Sequence, residues 1–275
     1  FDSLCTAFGT AGTGGFGIKS DSMAGYSTYL QVVITIFMIL FGINFNAYFL
    51  LITRKFAQAF KMEEVRYYLG IIVIAVLIIT CNIYHMYGSV SESLQQAAFQ
   101  VGSIITTTGY ATTDFNLWPE ISRTILIMLM FIGACAGSTG GGIKVSRILI
   151  LCKTIRKELH IFLHPNAVKK IKMDGKVIPH EVLRSTNIFI IVYMLIFAGS
   201  IFLIAFDDFD LITNFTAVTA TFNNIGPGLE LVGPIGNFGM FSWFSKIVLT
   251  FDMLAGRLEI FPLLLLFVRD TWKKF

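Results

Sequence analysis

The chain has 275 residues, 55% of them hydrophobic and 14% charged, with a formal net charge of +4. A soluble domain carries about 25% charged residues, so this composition excludes an ordinary water-soluble enzyme and points to a protein embedded in lipid.

An apolar opening leads into Thr10-Ala11-Gly12-Thr13-Gly14-Gly15-Phe16. From Ser22 to Thr53 there is then no Asp, Glu, Lys or Arg. A second uncharged run, Tyr67 to Ser91, precedes a short half-helix at about Leu94 to Ile105 and the segment Thr106-Thr107-Thr108-Gly109-Tyr110. Thr124 to Ile143 is the third run and Ser185 to Phe206 the fourth, separated by a basic connection from Lys153 to Arg184. A second half-helix, Leu211 to Phe222, leads to Asn223-Asn224-Ile225-Gly226-Pro227. The last hydrophobic stretch, Trp243 to Val268, contains Asp252, Arg257 and Glu259 and reads as a fifth, polar-broken span. Crossing ~30 Å of hydrocarbon takes about 20 apolar residues, which each run supplies.

The pattern is a repeated unit of span, short helix, glycine loop and span. Non-helical backbone at membrane depth survives only where protein buries it or where it lines a watery cavity. Loops arranged round an axis can offer rings of carbonyl oxygens in place of an ion's hydration shell. Aligning Gly14, Gly109 and Gly226 gives spacings of 95 and 117 residues, the excess falling in the basic connection. Gly42, Gly137 and Gly256 follow those glycines by 28, 28 and 30 residues, which puts them at similar depth in the following spans. The expected units are residues 1–60, 61–160 and 183–275, with 161–182 as the basic linker.

Three adjacent glycines cost a helix about 1 kcal/mol each relative to Ala. Gly137 to Gly142 is therefore expected to be an unwound intramembrane loop beneath the glycine loops, ending near Lys144. Arg257 lies 14 residues after Trp243 and 16 before Lys273, near mid-span. Charge at that depth faces a cavity or a partner. An arginine facing the pore repels cations until it moves, which is a gate; the alternative is an ion pair with Glu259, Asp252 or a neighbouring helix. Lys144 carries the same two readings.

Sixteen of the 21 basic residues fall at Arg54 to Arg66, Arg147 to Arg184 and Arg269 to Lys274, which the positive-inside tendency places in the cytoplasm. The glycine loops lie at the opposite ends of the spans, beside acidic residues such as Glu120, Asp207, Asp210 and Glu230. Such a rim concentrates cations; a solvated acidic face without a task is the plainer reading. The four cysteines and four histidines are scattered, so neither a metal site nor a disulfide framework is expected, and no cofactor. Gly12-x-Gly14-x-x-Gly17 matches a dinucleotide fingerprint, but an uncharged span follows it instead of a βαβ unit. A membrane-bound nucleotide-dependent enzyme is thus the disfavoured alternative, and no nucleic-acid partner is expected.

Four segments, Thr106 to Tyr110, Gly137 to Lys144, Asn223 to Gly228 and Gly256 to Phe261, resemble the Trk-type potassium uptake proteins, in the TrkH branch rather than the KtrB branch. The resemblance implies an all-α membrane protein with pseudo-fourfold repeats of transmembrane helix, pore helix with filter loop, and transmembrane helix. Repeats two to four would be present, with three of the four filter loops, so the chain is expected to be the C-terminal part of a longer protein. Carbonyls of Gly12, Thr13 and Gly14, of Thr107, Thr108 and Gly109, and of Asn224, Ile225 and Gly226 would bind potassium. Gly137, Ser138, Thr139, Gly140, Gly141, Gly142 and Lys144 would form the gate with Arg257. The family implies a homodimer in the bacterial inner membrane, in contact with lipid and with a cytoplasmic TrkA-type nucleotide-binding ring. A sodium-permeable or sodium/proton-coupled transporter on the same architecture is the competing function.

Overall fold

The computed structural model describes residues 1–167, 169–258 and 260–272. Glu259, one proposed partner of Arg257, and Lys273 and Lys274 of the closing basic cluster lie outside the described residues.

Among the described residues twelve α-helices follow one another: α1 (Asp2–Ala11), α2 (Thr28–Phe41), α3 (Phe45–Ile52), α4 (Phe56–Lys61), α5 (Glu63–Tyr87), α6 (Val90–Ile105), α7 (Glu120–Ile132), α8 (Val145–Leu163), α9 (His180–Ile204), α10 (Leu211–Phe222), α11 (Trp243–Arg257) and α12 (Ile260–Leu265). A two-stranded antiparallel hairpin, β1 (Lys172–Met173) and β2 (Lys176–Val177), interrupts the all-α expectation. Its turn is Asp174-Gly175, both at positive φ (51° and 78°), the chemistry that a two-residue hairpin demands. The Asp174 carboxylate accepts the Glu63 N–H at 2.7 Å, so this small hairpin caps the start of α5.

Five spans were expected, yet only two described helices are long and apolar enough to cross a membrane unbroken: α5, and α9 with the short 3₁₀ turn that carries it to Asp207. At 25 residues α5 reaches roughly 37 Å. It turns Leu69, Val73, Ile74, Leu77 and Ile78 outward, and Tyr68, Ile72, Ile79 and Ile83 inward. It ends where Gly88 takes the left-handed conformation and returns its N–H to Tyr84 O. The other runs are broken. α2 and α3 meet at a 90° bend across Gly42-Ile43-Asn44. The run Thr124 to Ile143 leaves the helix at Gly133, and α11 stops at Arg257. Absence of charge measures affinity for lipid; it does not require the backbone to stay helical.

Among the described residues three apolar cores hold the short helices in place, the smallest joining α2 to α6 through Ile34, Met38, Phe99 and Tyr110. Another gathers α5, α6 and α7 around Tyr68, Ile79, Ile104, Leu126 and Met130. The third gathers α9, α10 and α11 around Phe189, Tyr193, Phe197, Phe222 and Leu249. Tyr193 stacks on Phe222 with ring centroids 4.6 Å apart, and its hydroxyl donates to Asn223 Oδ1 at 3.0 Å. α6 and α10 are buried along much of their length, as helices that end inside protein must be.

Candidate ion path and gate

α1, α6 and α10 end in the same way. Their last caps, Gly12, Thr106 and Asn223, have φ/ψ of −82/−1°, −84/−3° and −92/1°. The next residues, Thr13, Thr107 and Asn224, step to positive φ (49°, 58° and 57°). One further on, the amides of Gly14, Thr108 and Ile225 reach back five residues to the carbonyls of Gly9, Ser103 and Ala220 at 2.8 to 2.9 Å. Gly15, Gly109 and Gly226 close each turn at positive φ (67°, 83° and 107°). The structural register is therefore Thr13–Thr107–Asn224. Alignment on Gly14 is one residue out in the first loop: Gly12 matches Thr106 and Asn223, and the triad equivalent to Thr107-Thr108-Gly109 is Thr13-Gly14-Gly15.

The loops pack glycine to carbonyl. A Cβ on Gly15 would lie 1.7 Å from Thr108 O, and one on Gly109 would lie 1.9 Å from Ile225 O. A Cβ on Gly226 would meet no described atom within 4 Å. Each closed contact needs glycine twice over, for the backbone angle and for the approach.

Beneath these loops the backbone from Gly133 to Lys144 is irregular, a longer break than the expected Gly137 to Gly142. Gly133, Gly137, Gly142 and Lys144 all have positive φ, from 68° to 81°. The segment rises against the feet of the glycine loops. Gly141 N–H donates to Thr107 Oγ1 at 2.6 Å, and the Thr13 hydroxyl donates to Thr139 O at 2.9 Å. Lys144 Nζ donates to Gly140 O within the segment. Ser138 turns its hydroxyl to Cys135 O at 2.6 Å. Cβ atoms on Gly140 and Gly141 would fall 3.0 Å from Thr106 O and 2.7 Å from Asn223 O, so no side chain fits there.

Gly42 and Gly256 do not sit in such a segment. They let helices close on their neighbours: a Cβ would meet Tyr68 Oη at 2.2 Å from Gly42, and Phe222 O at 1.8 Å from Gly256.

Arg257 Nη2 donates to Gly12 O at 2.9 Å, at the foot of the first loop. It also lines two large cavities and a small one of about 50 Å³. The outer, about 780 Å³, is walled by the three glycine loops, including Gly14, Gly109 and Gly226. The inner, about 750 Å³, is walled by the irregular segment from Ala136 to Gly140 and by Lys144, Arg147 and Ser146. Asp252 does not serve the arginine: it is fully buried and accepts the Ser200 hydroxyl at 2.7 Å.

A residue without any sequence signal joins this site. Glu64, 3% exposed on the first turn of α5, accepts Ala136 N–H at 2.6 Å, Ser146 N–H at 3.2 Å and the Asn44 amide at 3.2 Å. The α2–α3 bend is tied to the same segment through Cys135 N–H to Gly42 O and Phe45 N–H to Gly137 O, both 3.0 Å.

On the opposite side several acidic residues have local work. Arg123 bridges Glu120 at 3.2 Å and Glu230 at 2.8 Å. Asp207 accepts the Ser242 N–H at 2.8 Å. Asp210 caps α10 by accepting the Thr213 N–H at 3.0 Å, and hydrogen bonding to Thr213 holds its carboxyl below the usual carboxylate value. Among the described residues no cluster of three metal-ligating side chains forms.

The profile of the TrkH family, described as cation transport protein, matches residues 1–274. The Trk system potassium uptake protein TrkH of Salmonella typhimurium is 37% identical over 279 residues, covering 100% of this chain and 57% of that protein. TrkG of Escherichia coli K12, also a Trk system potassium uptake protein, is 32% identical over 281 residues. Among solved structures, the potassium transporter TrkH from Vibrio parahaemolyticus superimposes with a TM-score of 0.88 at 35% identity, covering 99% of this chain and 59% of that one. The chain thus spans little more than half the length of these relatives and shares their helical transporter fold. On the family match and these identities, the chain belongs to the TrkH family of cation transport proteins.

Proposed function

We propose that this chain supplies three of the four walls of a potassium path, with uptake into the cell as its activity. One observation carries the reading: three loops of one backbone pattern pack in order, Gly15 against Thr108 and Gly109 against Ile225, while a Cβ on Gly226 would meet no described atom within 4 Å. A fourth loop of the same design closes that side in the full-length protein, giving pseudo-fourfold symmetry. Carbonyls of Thr13, Gly14 and Gly15, of Thr107, Thr108 and Gly109, and of Asn224, Ile225 and Gly226 replace the water around potassium, while Gly12, adopted by Arg257, forms the floor below. The relatives named above are potassium uptake proteins, which favours potassium over sodium as the transported ion.

The units run over 1–60, 61–160 and 183–275, with 161–182 on the cytoplasmic side. Gly137, Ser138, Thr139, Gly140, Gly141, Gly142 and Lys144 block the path below the filter, and Arg257 stands between the outer and inner cavities as a fixed positive charge. Coulomb repulsion at that point opposes cation passage until the guanidinium leaves Gly12 O. The membrane potential drives entry at ~2.3 kcal/mol per charge per 100 mV, so no nucleotide chemistry is required of this chain. The protein resides in the bacterial inner membrane as a homodimer, with a TrkA-type ring docking on the basic connection.

Potassium and sodium flux into liposomes holding the full-length protein tests this, with Arg257→Ala alongside. Potassium-selective flux that rises at least several-fold in the variant is expected. Equal sodium flux overturns the selectivity, and unchanged flux in the variant removes Arg257 from the gate.

A further inference from the structure

We propose that Glu64 is the latch of the intramembrane segment: a positioning residue, remote from the ion, that holds the segment in its flux-blocking conformation. The inference rests on the gate reading above.

The segment breaks a span, and so leaves backbone donors without helical partners at two places. One is Ala136, in mid-segment. The other is Ser146, on the first turn of α8, whose amide is one of the unpaired donors of a helix start. α8 has no cap of its own, because Lys144 precedes it at φ 81° and makes no side-chain capping bond. Glu64 answers both needs with a single atom, Oε1, at 2.6 Å from Ala136 N and 3.2 Å from Ser146 N. A carboxylate at a helix N-terminus is favoured by the aligned peptide dipoles as well as by the hydrogen bond. The two amides are ten residues apart, so the carboxylate ties residues 137–145 into a closed loop.

The second oxygen extends the latch. Oε2 accepts the Asn44 amide at 3.2 Å, and Asn44 Oδ1 in turn caps α3 by accepting Asn46 N–H at 2.9 Å. Asn44 thus couples the carboxylate to the 90° bend of the preceding unit. One turn further along α5, Tyr68 donates to Ile39 O at 3.1 Å, which locks the same helix to α2. Glu64 is 3% exposed, so its bonds form where water competes little. By contrast, the tip of the segment meets the filter through two neutral bonds, from the Thr13 hydroxyl to Thr139 O and from the Gly141 N–H to the Thr107 hydroxyl. Charge-assisted bonds are about twice as strong as neutral ones. The blocking conformation is therefore set more by the latch at its base than by contact at its tip.

The test is potassium flux per folded molecule of full-length protein in liposomes, for Glu64→Gln, Asn44→Asp and Arg257→Ala, with the potassium-to-sodium ratio and the thermal midpoint measured on each. Glu64→Gln keeps one acceptor oxygen but sets an amide donor against the Asn44 amide and removes the charge. Asn44→Asp keeps the α3 cap and faces Glu64 with a second carboxylate, so it remains informative should Glu64→Gln fail to fold. Both are expected to raise flux about tenfold, equivalent to ~1.4 kcal/mol of bias, with an unaltered ion ratio. A merely structural Glu64 would lower the midpoint without raising flux per folded molecule, and that result overturns the latch. If Arg257→Ala raises flux and neither latch variant does, the gate stands and the latch is wrong. No rise in any of the three overturns the gate, and the latch with it.

Discussion

Alanine at Gly109 and at Gly226 makes a paired test of ring closure. In this chain a Cβ on Gly109 would approach Ile225 O to 1.9 Å, about 1 Å inside the 3.0 Å that real Cβ atoms keep. Glycine at φ 83° also gives way to alanine only at a backbone cost of roughly 1–2 kcal/mol. The Ile225 carbonyl must therefore rotate or its loop retreat by about an ångström, and a carbonyl moved that far no longer fits a bare potassium ion in place of water. Gly109→Ala is expected to lower potassium flux by at least tenfold and to flatten the preference over sodium. Gly226 also has positive φ, 107°, but a Cβ there would meet no described atom within 4 Å. From this chain alone, Gly226→Ala incurs only the backbone strain. Were a fourth loop to present its carbonyl there, as Thr108 does to Gly15, the steric cost would return in full. The assay is paired potassium and sodium uptake by liposomes containing full-length protein, normalised to folded protein. Equal damage from both substitutions supports closure by a fourth loop; near-normal, selective flux in Gly226→Ala refutes it.

Two smaller effects concern α10. Removing the Tyr193 hydroxyl strands the buried Asn223 Oδ1, so Tyr193→Phe should cost about 1–3 kcal/mol, seen as a lower unfolding midpoint; an unchanged midpoint would show that the bond carries no net stability. Asp210 has its carboxyl held below the ordinary value of about 3.9 by Thr213. Its stabilisation is complete above that ordinary value and is lost as pH falls through the lowered one. The midpoint of the parent should accordingly exceed that of Asp210→Asn at neutral pH and converge with it in acid; a pH-independent gap rules out an ionic contribution from the cap.

The half-helices and loops were legible because their signals are local. The half-helix expected at about Leu211 to Phe222 matches α10, which Asp210 caps at its start, whereas the one expected from about Leu94 begins at Val90. The first loop slipped by one residue for an equally local reason. Gly14-Gly15 offers two glycines where Gly109 and Gly226 stand alone, and the register is set instead by the amide of the middle residue reaching back five residues. The hairpin at Asp174-Gly175 was missed although its dipeptide is a standard turn signal, because the surrounding lysines read only as charge.

Glu64 was illegible for a deeper reason. In the sequence it is one of two acidic residues just before a hydrophobic run, indistinguishable from Glu63 beside it. Their fates divide on helix geometry. Adjacent positions on a helix point about 100° apart, so one of the pair faces outward to the basic connection, where Glu63 meets Lys153, and the other faces the bundle. What makes the inward position tolerable for a carboxylate is supplied 72 and 82 residues later, by Ala136 and Ser146, as backbone donors exposed when a glycine-rich stretch refuses to be a helix. A buried charge is costly unless it is hydrogen-bonded, and an unwound segment is costly unless its amides are. Each defect removes the other's cost, and neither residue type announces the pairing. The same logic explains why Asp252, equally buried but given only Ser200, does not organise any backbone around it. Buried charge in this chain is therefore accommodated where the backbone breaks nearby, and the break at Gly133 to Lys144 supplies the amides that Glu64 accepts.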